Sequence, residues 1–255
     1  MRSVVVVQHE PSVPPGSIAG VLAEEGVPYR VVEAWHAAEW PAGGEVGALI
    51  VMGGTMNVDE LERYPFLRAS RRLTADALER GTPTLGVCLG SQMMARVLGG
   101  DVYRTRPRNA FFSSLEVLAP DPVLEPFAGG TPVLQFHEDT FTLPSGATAL
   151  ARSARSGLLQ AFRYGDNAYA VQFHFEVDDG IVGRWCDNIG GDALDREWAT
   201  SRKGLLAEGS RLLAAQHAAG RALVRRFLDA AGGRAAAGPE GPAAGEMSEL
   251  ETGST

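Results

Sequence analysis

The chain has 255 residues, 45% of them hydrophobic, enough for one large core or two small ones. A formal net charge of −8 argues against nucleic acid or an anionic membrane surface as the main partner, and no run of 18 apolar residues marks a membrane span. Two distant cysteines, Cys88 and Cys186, make neither a disulfide framework nor a zinc site, and with no signal-peptide pattern the expectation is a cytoplasmic protein.

Val4 to Val7 is a continuous β-branched run, the mark of a strand covered on both faces. After Pro14-Pro15-Gly16, Ile18, Val21 and Leu22 fall at helical spacing up to Gly26. Tyr29 to Val32 reads as a second strand and Ala48 to Met52 as a third, ending at Gly53-Gly54. Phe66, Ala69, Leu73 and Ala77 give an amphipathic helix that Gly81 ends. Thr84 to Val87 is a short buried strand, and Met93, Met94, Ala95, Val97 and Leu98 favour helix directly after it. The expected fold is α/β, an open, mostly parallel twisted sheet with right-handed crossovers.

After Gly99-Gly100 the strand-like runs crowd together, at Val102-Tyr103, Leu115 to Leu118, Val133 to Phe136, Leu158 to Phe162 and Tyr169 to Phe173. This half is expected to extend the sheet in antiparallel or mixed fashion. From Trp198 to Asp229 a broken apolar stripe reads as helix packed on the body, with a partner-docking surface as the alternative. The Gly-, Ala-, Pro-, Glu- and Ser-rich stretch 231–255 reads as a disordered tail. The expected organisation is one α/β domain over 1–190, a helical extension over 191–230, and that tail.

Two stretches carry chemistry. In Thr84-Leu85-Gly86-Val87-Cys88-Leu89-Gly90-Ser91-Gln92 a buried strand turns abruptly into a helix with Cys88 at the corner. Gly86 and Gly90 leave room for backbone on both sides, and the helix N-terminus favours a thiolate. Alone, such a cysteine reads more readily as a core residue. In Val171-Gln172-Phe173-His174-Phe175-Glu176 the strand alternation places Gln172, His174 and Glu176 on one side. A carboxylate two residues from a histidine can fix its tautomer and stabilise its imidazolium. A metal reading would need His137 with Glu138 and Asp139, and would leave Cys88 unexplained. A nucleophilic Cys88 with a His174–Glu176 base and orienter is the thiol analogue of the serine triad.

The Gly86-x-Cys88-x-Gly90-x-Gln92 elbow followed by Gln172-Phe173-His174-x-Glu176 resembles the class I glutamine amidotransferase family. Met52-Gly53-Gly54-Thr55-Met56 resembles the family's oxyanion-loop strand end, and His137-Glu138-Asp139 a loop of its stand-alone, GMP-synthetase-like branch. The resemblance, over about residues 1–190, implies a flavodoxin-like sheet with helices on both faces. It implies glutamine, or another γ-glutamyl compound, as substrate. Cys88, His174 and Glu176 would be catalytic, and the amides of Gly54 and Leu89 would hold the oxyanion. Gly53 and Gln92 would contact the substrate, with Asn109, Phe112, His137 and Asp139 as further candidates. No metal or organic cofactor is implied, and the ammonia would pass to a partner synthetase or other biosynthetic enzyme. A γ-glutamyl peptidase using the same triad is the alternative, and a non-catalytic regulatory descendant a third. Phe175 stands where the family usually has Pro, and Arg108 to Phe112 where relatives of this branch have Glu-Ile-Gly-Trp.

Overall fold

The computed structural model describes residues 3–235, with side chains to residue 232. Its first half alternates β1 (Val4–Gln8), α1 (Ser17–Glu24), β2 (Tyr29–Glu33), β3 (Ala48–Val51), α2 (Phe66–Glu79), β4 (Thr84–Val87) and α3 (Leu89–Val97). Six strands follow, β5 (Val102–Ser113), β6 (Leu115–Val117), β7 (Val133–Phe141), β8 (Ala147–Ser153), β9 (Leu159–Tyr164) and β10 (Ala168–Val171). The chain then turns helical in α4 (Asp179–Ile189), α5 (Gly191–Trp198) and α6 (Arg202–Ala235).

Eight strands form one sheet in the order β2-β1-β3-β4-β10-β9-β8-β6. The first five are parallel and the last three antiparallel, so the mixed α/β architecture expected from the sequence is borne out. The valines of β1 show why its run is unbroken. Val4 and Val6 pack with Ile18, Val21 and Leu22 of α1 and with Leu223, Val224 and Phe227 of α6. Val5 and Val7 pack on the other face with Leu67, Leu73 and Ala77 of α2 and with Leu89 and Met93 of α3. Both faces are dry, and alternation in the sequence disappears for that reason.

Three features depart from the expectation. The runs at Val102 and Val133 do not extend the sheet; they lengthen into β5 and β7 and pair with each other as a separate two-stranded ribbon. This ribbon is covered by α4 and α5, where Ala110, Phe112, Leu134 and Phe136 meet Trp185, Leu194 and Trp198. The helical region opens at Asp179, earlier than its broken apolar stripe suggests, with the Asp178 carboxylate capping α4 at the Ile181 amide. At the other end α6 runs to Ala235, past the expected start of the tail at 231. The rest of the expected tail, 236–255, lies outside the described residues.

Candidate active site

The parallel strands β1, β3, β4 and β10 end side by side, and the candidate site lies in the crevice beyond their carboxyl ends. β4 delivers Cys88. Its amide donates to the Val171 carbonyl at 2.8 Å, the last rung toward β10, and α3 begins at the next residue. Cys88 has φ 50° and ψ −106°, a left-handed conformation that a side chain adopts only when its surroundings enforce it. The enforcement comes from close backbone. A Cβ on Gly86 would lie 2.6 Å from the Gly90 carbonyl oxygen, and one on Gly90 would collide with the Val51 carbonyl. Glycine is required at both positions for the corner to close.

Beyond β10 the Gln172–Glu176 stretch keeps the strand's alternation. The Gln172 amide donates to Cys88 Sγ at 3.5 Å, the thiol group also hydrogen-bonds His174, and His174 Nδ1 lies 2.7 Å from Glu176 Oε1. The three polar side chains are buried. Burial by itself would disfavour the imidazolium. Electrostatic attraction to Glu176 and to the Cys88 sulfur, with the hydrogen bonds to both, outweighs it and raises His174 to about 10. With Nδ1 turned to Glu176, Nε2 is the ring nitrogen left to face the sulfur.

Gly53 and Gly54 come off the end of β3. A Cβ on Gly53 would sit 3.3 Å from His174 Cε1 and 3.5 Å from Cys88 Cβ, so this turn closes directly over the pair. Gly54 lines the pocket, and Leu89 opens α3, where the first amides have no acceptor within the helix. His9, at the end of β1, holds the same turn from below. Its Nδ1–H faces the Met52 and Gly53 carbonyls at 3.1 and 3.3 Å, and Nε2 lies 2.9 Å from the Ser70 hydroxyl. Burial pushes His9 down to about 4, which keeps it neutral.

Of the remaining sequence candidates, Gln92, His137 and Asp139 line the pocket. Gln92 Nε2 donates to the Asp139 carbonyl at 2.9 Å and reaches Gln172 Oε1 at 3.3 Å, a link between α3 and β7. Burial, with repulsion from His174, pushes His137 down to about 3, and its Nδ1–H donates to the Asp139 carbonyl at 3.0 Å. The Asp139 carboxylate is bound by Asn57 at 2.7 Å and by Arg104 at 3.2 Å. Asn109 and Phe112 lie outside the pocket lining. Asn109 donates to Thr105 Oγ1 at 3.1 Å, and Phe112 faces the core beneath α4 and α5. From that part of the chain it is Arg104 that lines the site. Ser12, Val13, Phe136, Trp185, Asn188 and Trp198 also line it and were not singled out by sequence. Phe136 falls in a strand-like run and Trp198 opens the helix-like stretch, and neither pattern marks a pocket.

A thiol at a strand–helix corner, beside a histidine–carboxylate pair, sets out in this α/β protein the parts that nucleophilic catalysis uses. The model of the family Glutamine amidotransferase class-I matches residues 16–184, and the chain belongs to that family. A glutamine-hydrolysing GMP synthase of Anaplasma marginale is 33% identical over 149 residues, 56% of this chain and 28% of that protein. One from Phenylobacterium zucineum is 34% identical over 169 residues, 63% of this chain and 30% of that protein. The matches thus span less than a third of those curated relatives. In three dimensions the chain is similar to a glutamine amidotransferase from Thermotoga maritima, with a TM-score of 0.79, 29% identity, and coverage of 90% of this chain and 99% of that one. A glutamine amidotransferase from Methylobacillus flagellatus shares the fold at a TM-score of 0.80 and 23% identity, over 90% and 95% of the two chains. The resemblance read from the motifs is borne out. Among the described residues no helix is long and apolar enough to cross a membrane.

Proposed function

We propose that this chain hydrolyses the side-chain amide of glutamine, a γ-glutamyl amide, through a thioester on Cys88, and that the ammonia serves a partner enzyme. The observation that carries the reading is the unbroken contact chain Glu176–His174–Cys88–Gln172 at the mouth of four parallel strands. Cys88 Sγ attacks the amide carbon. The amides of Gly54 and Leu89 hold the oxyanion, each such donor contributing about 3 kcal/mol in the transition state. The C–N bond breaks as the His174 imidazolium gives its proton to the departing nitrogen, and the imidazole then draws a proton from water attacking the thioester. Glu176 holds the ring and its charge. Arg104, Glu138 and Asp139, which line the same pocket, offer both signs of charge to the α-carboxylate and α-ammonium of the glutamyl group.

The test is direct. Purified protein should release glutamate and ammonia from glutamine in equal amounts, and Cys88→Ala should lower kcat/KM by about 10³-fold or more. Undiminished turnover by that variant would refute the thioester.

A further inference from the structure

The pocket has a second character that ammonia release does not use. His174 Nε2 is the nitrogen facing Cys88, so the leaving group departs alongside this imidazole. Packed against that ring is Trp185, edge to face, with centroids 4.7 Å apart. Phe136 continues the series at 5.4 Å from Trp185 and 4.9 Å from Trp198. All three rings line the cavity that holds Cys88, with Val13 and Ile189 completing the apolar wall. The wall is fixed in place. The Trp185 indole N–H donates to the Ser12 carbonyl at 2.7 Å. Arg108 lies 5.4 Å over the Trp198 ring while bridging Glu138 and Glu197.

Ammonia carries no carbon to bury against three aromatic rings. A wall of this kind, beside the proton donor, fits a leaving nitrogen that bears an apolar substituent. We propose that the site hydrolyses γ-glutamyl amides of apolar, above all aromatic, amines in addition to glutamine, and prefers them. The inference rests on the Cys88 thioester and narrows what leaves from it. Sγ bonds to the γ-carbonyl carbon, the C–N bond breaks, and the His174 proton passes to the amine nitrogen. Water then cleaves the thioester, so that γ-glutamyl amide and water give glutamate and free amine. Ring and side-chain carbons of that amine rest on Phe136, Trp185 and Trp198 until it departs.

The experiment compares kcat/KM for γ-L-glutamyl-L-phenylalanine, γ-L-glutamylglycine and glutamine with the purified chain. The first two present the same bond and differ by a benzyl group, and the aromatic one is expected to win by about tenfold or more. That ratio should fall by roughly fivefold or more in Ile189→Ser, at the half-buried lip, and in Trp198→Leu, toward the one-methylene scale of a hydrophobic pocket. Should Trp198→Leu fail to fold, Ile189→Ser decides. Equal or better turnover of the glycine compound or of glutamine overturns the proposal, as does a ratio that neither variant moves. If no compound is turned over the proposal also falls, and a diazoketone analogue of glutamine tells how far. Covalent labelling of Cys88, read by intact mass, leaves the thioester standing, whereas an unlabelled Cys88 removes both.

Discussion

His174 is buried between Glu176 on one ring nitrogen and Cys88 on the other, and that sandwich sets its charge. In the proposed mechanism it protonates the leaving nitrogen and so must carry a proton, and kcat/KM should fall as pH rises through its pKa, near 10. In Glu176→Gln the ring keeps a hydrogen-bond partner but loses a neighbouring anion. The imidazolium is then less favoured, and the alkaline limb of the pH–rate profile should move down by about a unit or more. An unshifted limb would show that Glu176 only orients the ring. These three residues were legible in the sequence because each motif is local: an elbow in seven residues, and two side chains on one edge of a strand. Gln172 was legible as a direction but not as a contact, since only folding brings Cys88 within its reach. Asn109 pairs across the ribbon with His137, a pocket residue, but turns its amide to Thr105 instead. The register between β5 and β7 shifts between Arg104 and Asn109, which leaves Arg104 on the pocket and sends Phe112 to the core.

Among the elements, α6 is the one whose sequence hides its role. Its apolar stripe is broken by Gly204, Gly209 and Gly220, which weaken helix propensity by about 1 kcal/mol each relative to alanine. The structure explains Gly220 by close approach, since a Cβ there would lie 2.8 Å from the Phe175 ring and 2.9 Å from its carbonyl oxygen. Three and four positions earlier, about one turn back, His217 donates to the Val177 carbonyl and Gln216 accepts from the Leu134 amide at 2.7 Å. From the opposite side the Ser17 amide, opening α1, donates to the Glu176 carbonyl at 2.9 Å. The His174–Val177 segment is therefore clamped between two helices, and Phe175 fills the contact with α6. Substituting Gly220→Val should force the helix away and destabilise the fold by about 1–3 kcal/mol, against its better intrinsic helix propensity. Denaturant unfolding checks the sign. A stabilised variant would mean that α6 does not press on this segment.

Across the whole molecule, chemistry collects where β1, β3, β4 and β10 end, and the alternation of strand and helix in the first half was enough to place that edge. The aromatic wall was not legible, because Phe136, Trp185 and Trp198 lie on three elements that look like core until they meet. The same assembly buries two histidines as neutral rings, and this makes stability depend on pH. His9, lowered to about 4, and His137, lowered to about 3, both start from 6.5 when unfolded. Between those values the unfolded chain binds protons that the folded one refuses, so stability is complete above 6.5 and drains away as pH falls. His174 has the opposite sign, with its contribution full below 6.5 and lost as pH rises toward 10, so it cannot cause an acid-side loss. For His9 alone the loss by pH 4 is on the order of 3 kcal/mol. In His9→Asn the ring is gone while an amide N–H remains for the Met52 and Gly53 carbonyls. The variant should start less stable at pH 7 and lose less on acidification, its slope of unfolding free energy between pH 6.5 and 4 reduced by about one proton. Parallel slopes for the two proteins in urea titrations across that window would show that His9 is protonated in the folded state, and its hold on the turn before Gly54 would have to be redrawn.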